Sequence, residues 1–263
     1  MSYISLSPDE TGIELAPGAL GAAEAMRAPY RAATPFPHTV IDGFLDPALA
    51  EWFAAAFPDE ALASVRRANG YQNGKRGYRP ATLGDHPAAG LLERLNAPPL
   101  VRLIEALTGN AALVTDPDFV GGGFHEIDPG GHLSIHADFR LHPGLGLARR
   151  VNLILFLNRE WRPEWGGALE LWERDRSGRA VAIEPIFNRA VIFDTDQSSF
   201  HGHPHPLACP PDIRRRSLAL YFYNPAKAGE RLASETLWHA EAPRSRLSAA
   251  IGKLRIGPFR FRT

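Results

Sequence analysis

The stretch His132-Leu133-Ser134-Ile135-His136-Ala137-Asp138 places a histidine and an aspartate two positions apart. Side chains two positions apart on an extended strand project to the same side. One strand can therefore present an imidazole nitrogen and a carboxylate oxygen to a single metal ion. Two histidines and one carboxylate are the ligand set of non-haem iron(II) sites, so a third ligand is expected from another strand.

The segment His201-Gly202-His203-Pro204-His205 offers three candidates for this third ligand. His201 is favoured because it follows the apolar strand residue Phe200. His203 has the same strand parity and remains the main alternative. His205 lies between prolines and is expected in a loop. The predicted metal ligands are therefore His136, Asp138 and His201.

The region around these residues has the pattern of a β protein. From residue 111 onward the apolar period changes from helical to two, and turn formers separate the runs. Strands are predicted at 119–125, 132–137, 151–157, 167–172, 180–184, 190–194, 199–203 and 214–223. About eight short strands at this spacing predict a mainly β fold, a double-stranded β-helix or jelly-roll barrel.

The upstream part of the chain has helical patterns. Asp46-Pro47 resembles a helix start, and further helices are predicted at about 87–95 and 98–108, where Gly109 would end the second. These helices are expected to pack on the outside of one sheet. We expect one structural domain in three parts: residues 1–115 as an arm and helical support, 116–225 as the catalytic core, and 226–263 as an extension. Residues 1–35 are predicted to be a loosely docked arm.

Composition narrows the class of protein. Lysine plus arginine equals aspartate plus glutamate at 29 each, so no nucleic-acid or anionic-membrane partner is expected. The single cysteine, Cys209, excludes an internal disulfide framework. We see no signal peptide and no membrane span, so the expected location is cytoplasmic. The six basic residues within 244–263 are expected in a flexible or edge-docked tail.

Residues 66–80 form a glycine-punctuated, basic stretch with two readings. One is a solvated loop. The other is a lid whose Lys75, Arg76 or Arg79 meets an anionic substrate. The sequence alone does not separate these two readings.

The last predicted strand combines a core face with a polar face. Leu218, Leu220 and Phe222 alternate with Ser217 and Tyr221. Arg215 and Ser217 share the polar face and suit a carboxylate, because a guanidinium binds both oxygens and a hydroxyl adds a donor. The alternative is that the three consecutive arginines from 214 to 216 are solvated charges at a strand start.

Taken together, residues of about 119–224 resemble the iron(II)- and 2-oxoglutarate-dependent dioxygenases of the prolyl-hydroxylase-like type. The matching pieces occur in order: Ile127-Asp128-Pro129-Gly130-Gly131, the pair His136/Asp138, a strand ending in Leu157-Asn158, Trp165-Gly166-Gly167-Ala168-Leu169, Glu184-Pro185, Asn188-Arg189, the distal His201 and Arg215-Arg216-Ser217. The sequence departs at Phe156 and Ile127, where many relatives have tyrosine.

The resemblance implies the cofactors and the roles of several residues. Fe(II) would be held by the three predicted ligands, with 2-oxoglutarate and O2 as cosubstrates and ascorbate as a stimulating reductant. Arg215 and Ser217 would hold the far carboxylate of 2-oxoglutarate, and Asn152 and Phe156 would line the same pocket. Arg140 shares parity with the ligands and is a candidate for substrate binding, as is Tyr221.

The implied reaction is hydroxylation of an unactivated C–H bond in a small molecule, such as an amino acid, sugar or secondary metabolite, with release of succinate and CO2. Oxidative cyclisation, desaturation and peptidyl hydroxylation remain alternatives, as does a cupin-like metal-dependent isomerase. The sequence does not indicate an oligomeric state.

Overall fold

The computed structural model describes residues 1–239 and is dominated by antiparallel strands. The strands are β1 (Ile4–Leu6), β2 (Ile13–Leu15), β3 (His38–Asp42), β4 (Val65–Arg67), β5 (Gln72–Tyr78), β6 (Val114–Thr115), β7 (Gly123–Ala137), β8 (Ala148–Phe156), β9 (Leu169–Trp172), β10 (Arg179–Ile183), β11 (Arg189–Asp194), β12 (His201–His203), β13 (Arg215–Asn224) and β14 (Leu237–Trp238).

Within residues 1–239 there are five α-helices, all of which precede β6. They are α1 (Ala19–Ala32), α2 (Pro47–Ala55), α3 (Pro80–Leu83), α4 (Pro87–Leu95) and α5 (Pro98–Thr108). Two short 3-10 helices lie at Glu60–Leu62 and Pro163–Trp165. The helix starts follow the sequence signals, since α2, α4 and α5 each have a proline in the first turn and the Asp46 side chain caps α2.

The strands form a nearly closed, barrel-like antiparallel sheet with the jelly-roll arrangement. Its hydrogen-bonded order is β10-β9-β12-β7-β13-β8-β11-β3. In addition, β5 and β14 each pair with β7. The long strand β7 takes part in both layers, because its first half pairs with β13 and its second half pairs with β12. The predicted mainly β jelly-roll fold is confirmed.

The helices pack on one outer face of this barrel. Leu218, Leu220 and Phe222 of β13 join one buried cluster with apolar residues of α1, α2, α4 and α5. A separate cluster, which includes Phe156, Leu171 and Phe193, fills the interior. The alternation predicted for residues 214–223 is therefore observed in β13, and the polar face of β13 faces the barrel interior.

Two upstream segments are more ordered than the sequence suggested. Residues 1–35 contain β1, β2 and α1, and α1 buries Ala19, Ala23 and Tyr30. The prediction of a loosely docked arm is therefore wrong. Residues 66–80 form most of a hairpin of β4 and β5 that pairs with β7, so they are not a solvated loop.

No helix within residues 1–239 combines the length and the apolar character needed to cross a bilayer. The predicted basic tail at 244–263 lies outside the described residues.

The turn before β11 is hydrogen-bonded to the segment before α2, and this contact can be tested by mutation. The buried Asn188 has a φ of 57° and hydrogen-bonds Leu45 twice, accepting from its N–H at 2.9 Å and donating to its carbonyl at 2.8 Å. We expect Asn188→Ala to lower the free energy of unfolding by about 2–4 kcal/mol in urea titrations, because two buried backbone groups lose their partners. Asn188→Gly keeps the left-handed backbone accessible. If Asn188→Gly is as stable as the wild type, the hydrogen bonds of the Asn188 side chain do not account for the loss of stability in Asn188→Ala.

Candidate metal and active site

Three predicted ligands converge at one end of the barrel. Within residues 1–239, His136, Asp138 and His201 form a cluster in which one potential ligand atom from each lies within 4.8 Å of the others. The Nε2 atoms of His136 and His201 are each 3.5 Å from a carboxylate oxygen of Asp138. His203 is not part of this cluster. The structure thus brings together the three residues that the sequence favoured.

The second ring nitrogen of each histidine is already engaged. Nδ1 of His136 lies 2.8 Å from the carbonyl of Ser134, and Nδ1 of His201 lies 2.9 Å from the carbonyl of Ser199. A carbonyl accepts only, so Nδ1 carries the proton and the Nε2 lone pair faces the carboxylate. Burial and the neighbouring His136 also lower the pKa of His201 to about 4. Both imidazoles are therefore prepared as metal ligands.

Strand pairing explains why these residues meet although they are far apart in sequence. His201 of β12 is directly opposite His136 of β7. A Cβ atom on Gly202 would lie 2.8 Å from the carbonyl oxygens of Leu133 and Ser134. Only glycine lets the two backbones approach this closely, and the approach brings the histidines into one cluster.

The Asp138 carboxylate is held by two further side chains. Arg149 donates to Oδ2 at 2.9 Å and Asn152 donates to the same atom at 2.8 Å. Asn152 in turn accepts from Nε of Arg149 at 2.7 Å. Burial alone would raise the pKa of Asp138, but Arg149 and the two histidines hold it well below its usual range. The carboxylate is therefore ionised and oriented.

A cationic side chain without an acidic partner lies farther along the interior. Arg215 is 5% exposed, donates from Nε to the carbonyl of Gly167 at 2.7 Å, and has its guanidinium carbon 4.9 Å from the centre of the Phe156 ring. It forms no ion pair within the described part of the chain. Burial lowers its pKa to about 9, so a buried anion would stabilise it. Ser217 projects from the same face of β13 and is directly opposite Phe156.

A cavity of about 390 Å³ opens in front of His136 and Asp138. Tyr221 lines it, donates to the carbonyl of Gly121 at 2.8 Å, and has the Arg149 guanidinium stacked 3.3 Å from its ring centre. The cavity lies within the usual size range of small-molecule sites.

Arg140, the other residue considered for substrate binding, does not line this cavity. Its guanidinium donates to Glu230 at 2.8 Å, and Glu230 also pairs with Arg150. The strand parity it shares with the ligands therefore does not bring it to the site, since the chain leaves β7 before residue 140.

The sequence reasoning missed two parts of the cavity wall. Trp238 of β14 pairs with His136, and its ring centre is 4.9 Å from that imidazole and 5.0 Å from the stacked Tyr71. Arg149 is the second residue of β8, and its place beside Arg150 is the signal in the sequence that could have pointed to it.

Comparisons with known proteins agree with this geometry. Residues 122–223 match the family model described as the 2OG-Fe(II) oxygenase superfamily. This segment contains the whole histidine–aspartate cluster together with Arg215 and Ser217. A search of the curated proteins finds no match.

Two solved structures share the fold at low identity. A prolyl-4-hydroxylase of Pseudomonas putida is 20% identical, with a TM-score of 0.54, over 77% of this chain and 98% of that one. A prolyl hydroxylase of Trichoplax adhaerens, solved with a hypoxia-inducible-factor peptide fragment, is 18% identical, with a TM-score of 0.58, over 79% of this chain and 93% of that one.

Proposed function

Starting from a 2OG-Fe(II) oxygenase domain over residues 122–223, we propose that this enzyme hydroxylates an unactivated C–H bond of a small molecule. Proteins of this superfamily use Fe(II), 2-oxoglutarate and O2, and the coproducts here would be succinate and CO2. His136, Asp138 and His201 would hold the iron, and Arg215 with Ser217 would hold the far carboxylate of 2-oxoglutarate.

One observation carries the proposal: two imidazoles with Nδ1 protonated direct their free Nε2 atoms at one ionised carboxylate. A structural histidine needs no free ring nitrogen directed at a carboxylate that has no proton to donate. Three converging donors of the types that bind non-haem iron(II) suit that metal and leave other coordination positions open.

The contacts indicate which roles belong to the metal and which belong to the side chains. Iron held by these residues would, together with 2-oxoglutarate and O2, supply the oxidising chemistry. The chain supplies orientation: Arg149 and Asn152 fix the carboxylate of Asp138. Phe156 packs on the Arg215 guanidinium and keeps water from it. The Trp238 ring packs 4.9 Å from the His136 imidazole.

The size and cover of the cavity support a small substrate. It holds about 390 Å³ and has wall residues from β5 and β14. The Trichoplax relative was solved with a peptide fragment, so peptidyl hydroxylation is the second candidate. Desaturation and oxidative cyclisation would use the same residues. A cupin-like isomerase would have no use for Arg215, which forms no ion pair within residues 1–239, beside Ser217 on the same face of β13.

The proposal is tested by incubating the purified protein with Fe(II), ascorbate, O2 and 2-oxoglutarate and quantifying succinate. We expect succinate in excess over metal-free and 2-oxoglutarate-free controls, even without the primary substrate. In parallel, 2-oxoglutarate should bind the anaerobic metal-loaded protein in calorimetry. Absence of both signals would contradict the oxygenase assignment.

The role of Asn152 gives a separate prediction. Asn152→Ala removes one of the two side chains that orient Asp138, so metal affinity should fall about 10–100-fold, as is usual for residues behind a ligand. Calorimetric titration with Mn(II) measures this effect. Asn73→Ala, at an exposed position of β5, is the matched control. Equal metal affinity in both variants would show that Asn152 does not position the carboxylate.

A further inference from the structure

The cavity wall has an excess of positive charge. Among its described lining residues, Arg67, Lys75, Arg79 and Arg149 are cationic, whereas Asp138 is the one carboxylate. Arg149 is paired with Asp138. Within residues 1–239 the other three cations form no ion pair, although Arg76, next to Lys75, contacts Glu60, Glu126 and Asp128.

The pairing of strands explains which cations face the site. Arg67 of β4 is opposite Lys75 of β5, Lys75 is opposite Ile127 of β7, and Ile127 is opposite Arg215 of β13. Directly opposite residues of antiparallel strands project to the same side of a sheet. Lys75 and Arg215 therefore belong to one transverse row that faces the barrel interior, and Arg67 extends this row toward solvent.

The neighbouring row confirms this assignment of faces. Arg76, Glu126 and Arg216 are opposite one another on the same strands, and Glu126 accepts charge contacts from both arginines. These side chains lie on the outer face, where Glu126 pairs with both arginines and Arg76 also pairs with Glu60 and Asp128. The inner row has no carboxylate among its members.

Lys75 and Arg79 are partly buried, whereas Arg67 is exposed. Burial lowers the pKa of Lys75 to about 8, and Asp138 offsets this only in part. The Nε atom of Arg79 is buried and has no hydrogen-bond partner in the described residues. Buried polar groups of proteins are nearly always paired, so this donor at the cavity wall is available to a ligand that binds there.

2-Oxoglutarate does not account for all of these cations. Its keto-acid end would be bound by the metal and its far carboxylate by Arg215 and Ser217. Lys75, Arg67 and Arg79 then remain without an anion.

We infer that the primary substrate carries an anionic group, a carboxylate or a phosphate, and that Arg67, Lys75 and Arg79 bind it in the cavity in front of His136 and Asp138. This inference rests on the proposed function and names the chemical class of its substrate. The hairpin of β4 and β5 is thus a binding wall of the site, and Arg79 follows it at the start of α3.

The test is calorimetry on anaerobic protein loaded with Mn(II) and saturating 2-oxoglutarate. The probes are matched pairs that differ in charge, hippurate with hippuramide and phenyl phosphate with phenol. We expect the anion of at least one pair to bind about tenfold or more tightly than its neutral partner, and the better pair identifies the carboxylate or phosphate. Equal binding within both pairs, or no binding of either anion, would overturn the inference.

Substitutions then identify the side chains that are responsible for the preference for anions. Arg79→Gln and Lys75→Gln should each reduce it about tenfold, whereas Arg102→Gln, at an exposed position of α5, should leave it unchanged. If the cavity variants behave like Arg102→Gln, the anion binds elsewhere and the inference fails. If Lys75→Gln instead weakens 2-oxoglutarate binding as strongly as Arg215→Ala, Lys75 belongs to the cosubstrate site and the assignment is wrong.

Titration of 2-oxoglutarate into the same metal-loaded samples separates this inference from the proposed function. Wild-type protein that fails to bind 2-oxoglutarate contradicts the oxygenase function itself. Protein that binds 2-oxoglutarate but shows no preference for anions contradicts only the inference about substrate charge.

Discussion

Replacing His136 with alanine is expected to abolish stoichiometric metal binding and, with it, succinate formation. Nε2 of His136 is one of three ligand atoms that converge within 4.8 Å. Loss of residues behind a ligand costs about 10–100-fold in metal affinity, so loss of the ligand itself should cost more than about 100-fold. Titration with Mn(II) followed by calorimetry measures the affinity directly.

His205→Ala is the control for this experiment, because His205 is exposed and lies only two residues beyond β12. Its metal affinity should equal that of the wild type. A His136→Ala protein that is folded and still binds one metal ion with wild-type affinity would refute the assignment of the site.

Replacing Arg215 with alanine is expected to weaken 2-oxoglutarate binding severely while leaving metal binding intact. Removal of one member of a buried charge pair costs about 2–5 kcal/mol, which corresponds to roughly 30- to 4,000-fold in Kd. Arg215 is buried and touches none of the three predicted ligands in the described contacts. Calorimetry of 2-oxoglutarate with the Mn(II)-loaded variant measures the change.

The neighbouring Arg216 provides the matched control. It projects to the outer face, where it contacts Glu126 and stacks on Phe57. Arg216→Ala should bind 2-oxoglutarate as the wild type does, although its stability is expected to fall. If Arg215→Ala reduces metal affinity instead of 2-oxoglutarate affinity, the division of roles between the cluster and the arginine is wrong.

Much of the barrel could be predicted because strands such as β13 alternate between a polar face toward the site and an apolar face toward the helices. On β13, Ser217 and Tyr221 alternate with Leu218 and Phe222, and a period of two of this kind needs no tertiary information. The predicted strands at 119–125 and 132–137 are one continuous strand, β7. The intervening turn formers Pro129-Gly130-Gly131 favour a break between two strands, but β7 continues through them and pairs with β13 before them and with β12 after them.

The N-terminal helix was missed because its buried residues are small and one proline interrupts it. α1 buries Ala19 and Ala23, whose small side chains give only a weak apolar periodicity. Pro29 lies inside the helix. This helix is therefore stabilised by its packing against α5 and not by a strong local sequence signal.

The metal cluster was accessible from spacing and resemblance. For the cavity wall, the sequence offered Lys75 and Arg79 only as one of two readings. His136 and Asp138 are close in sequence and share one strand. Lys75 and Trp238 reach the site through edge pairings with β7 across long separations in sequence. Such pairings depend on register between distant strands, which a single sequence does not specify.

A crystal structure of the protein grown anaerobically with Mn(II) and 2-oxoglutarate tests the central claim most directly. We expect anomalous density for one ion bound by His136, Asp138 and His201, with the far carboxylate of 2-oxoglutarate on Arg215 and Ser217. An ion bound by other residues, or a 2-oxoglutarate carboxylate placed away from Arg215, would contradict the account.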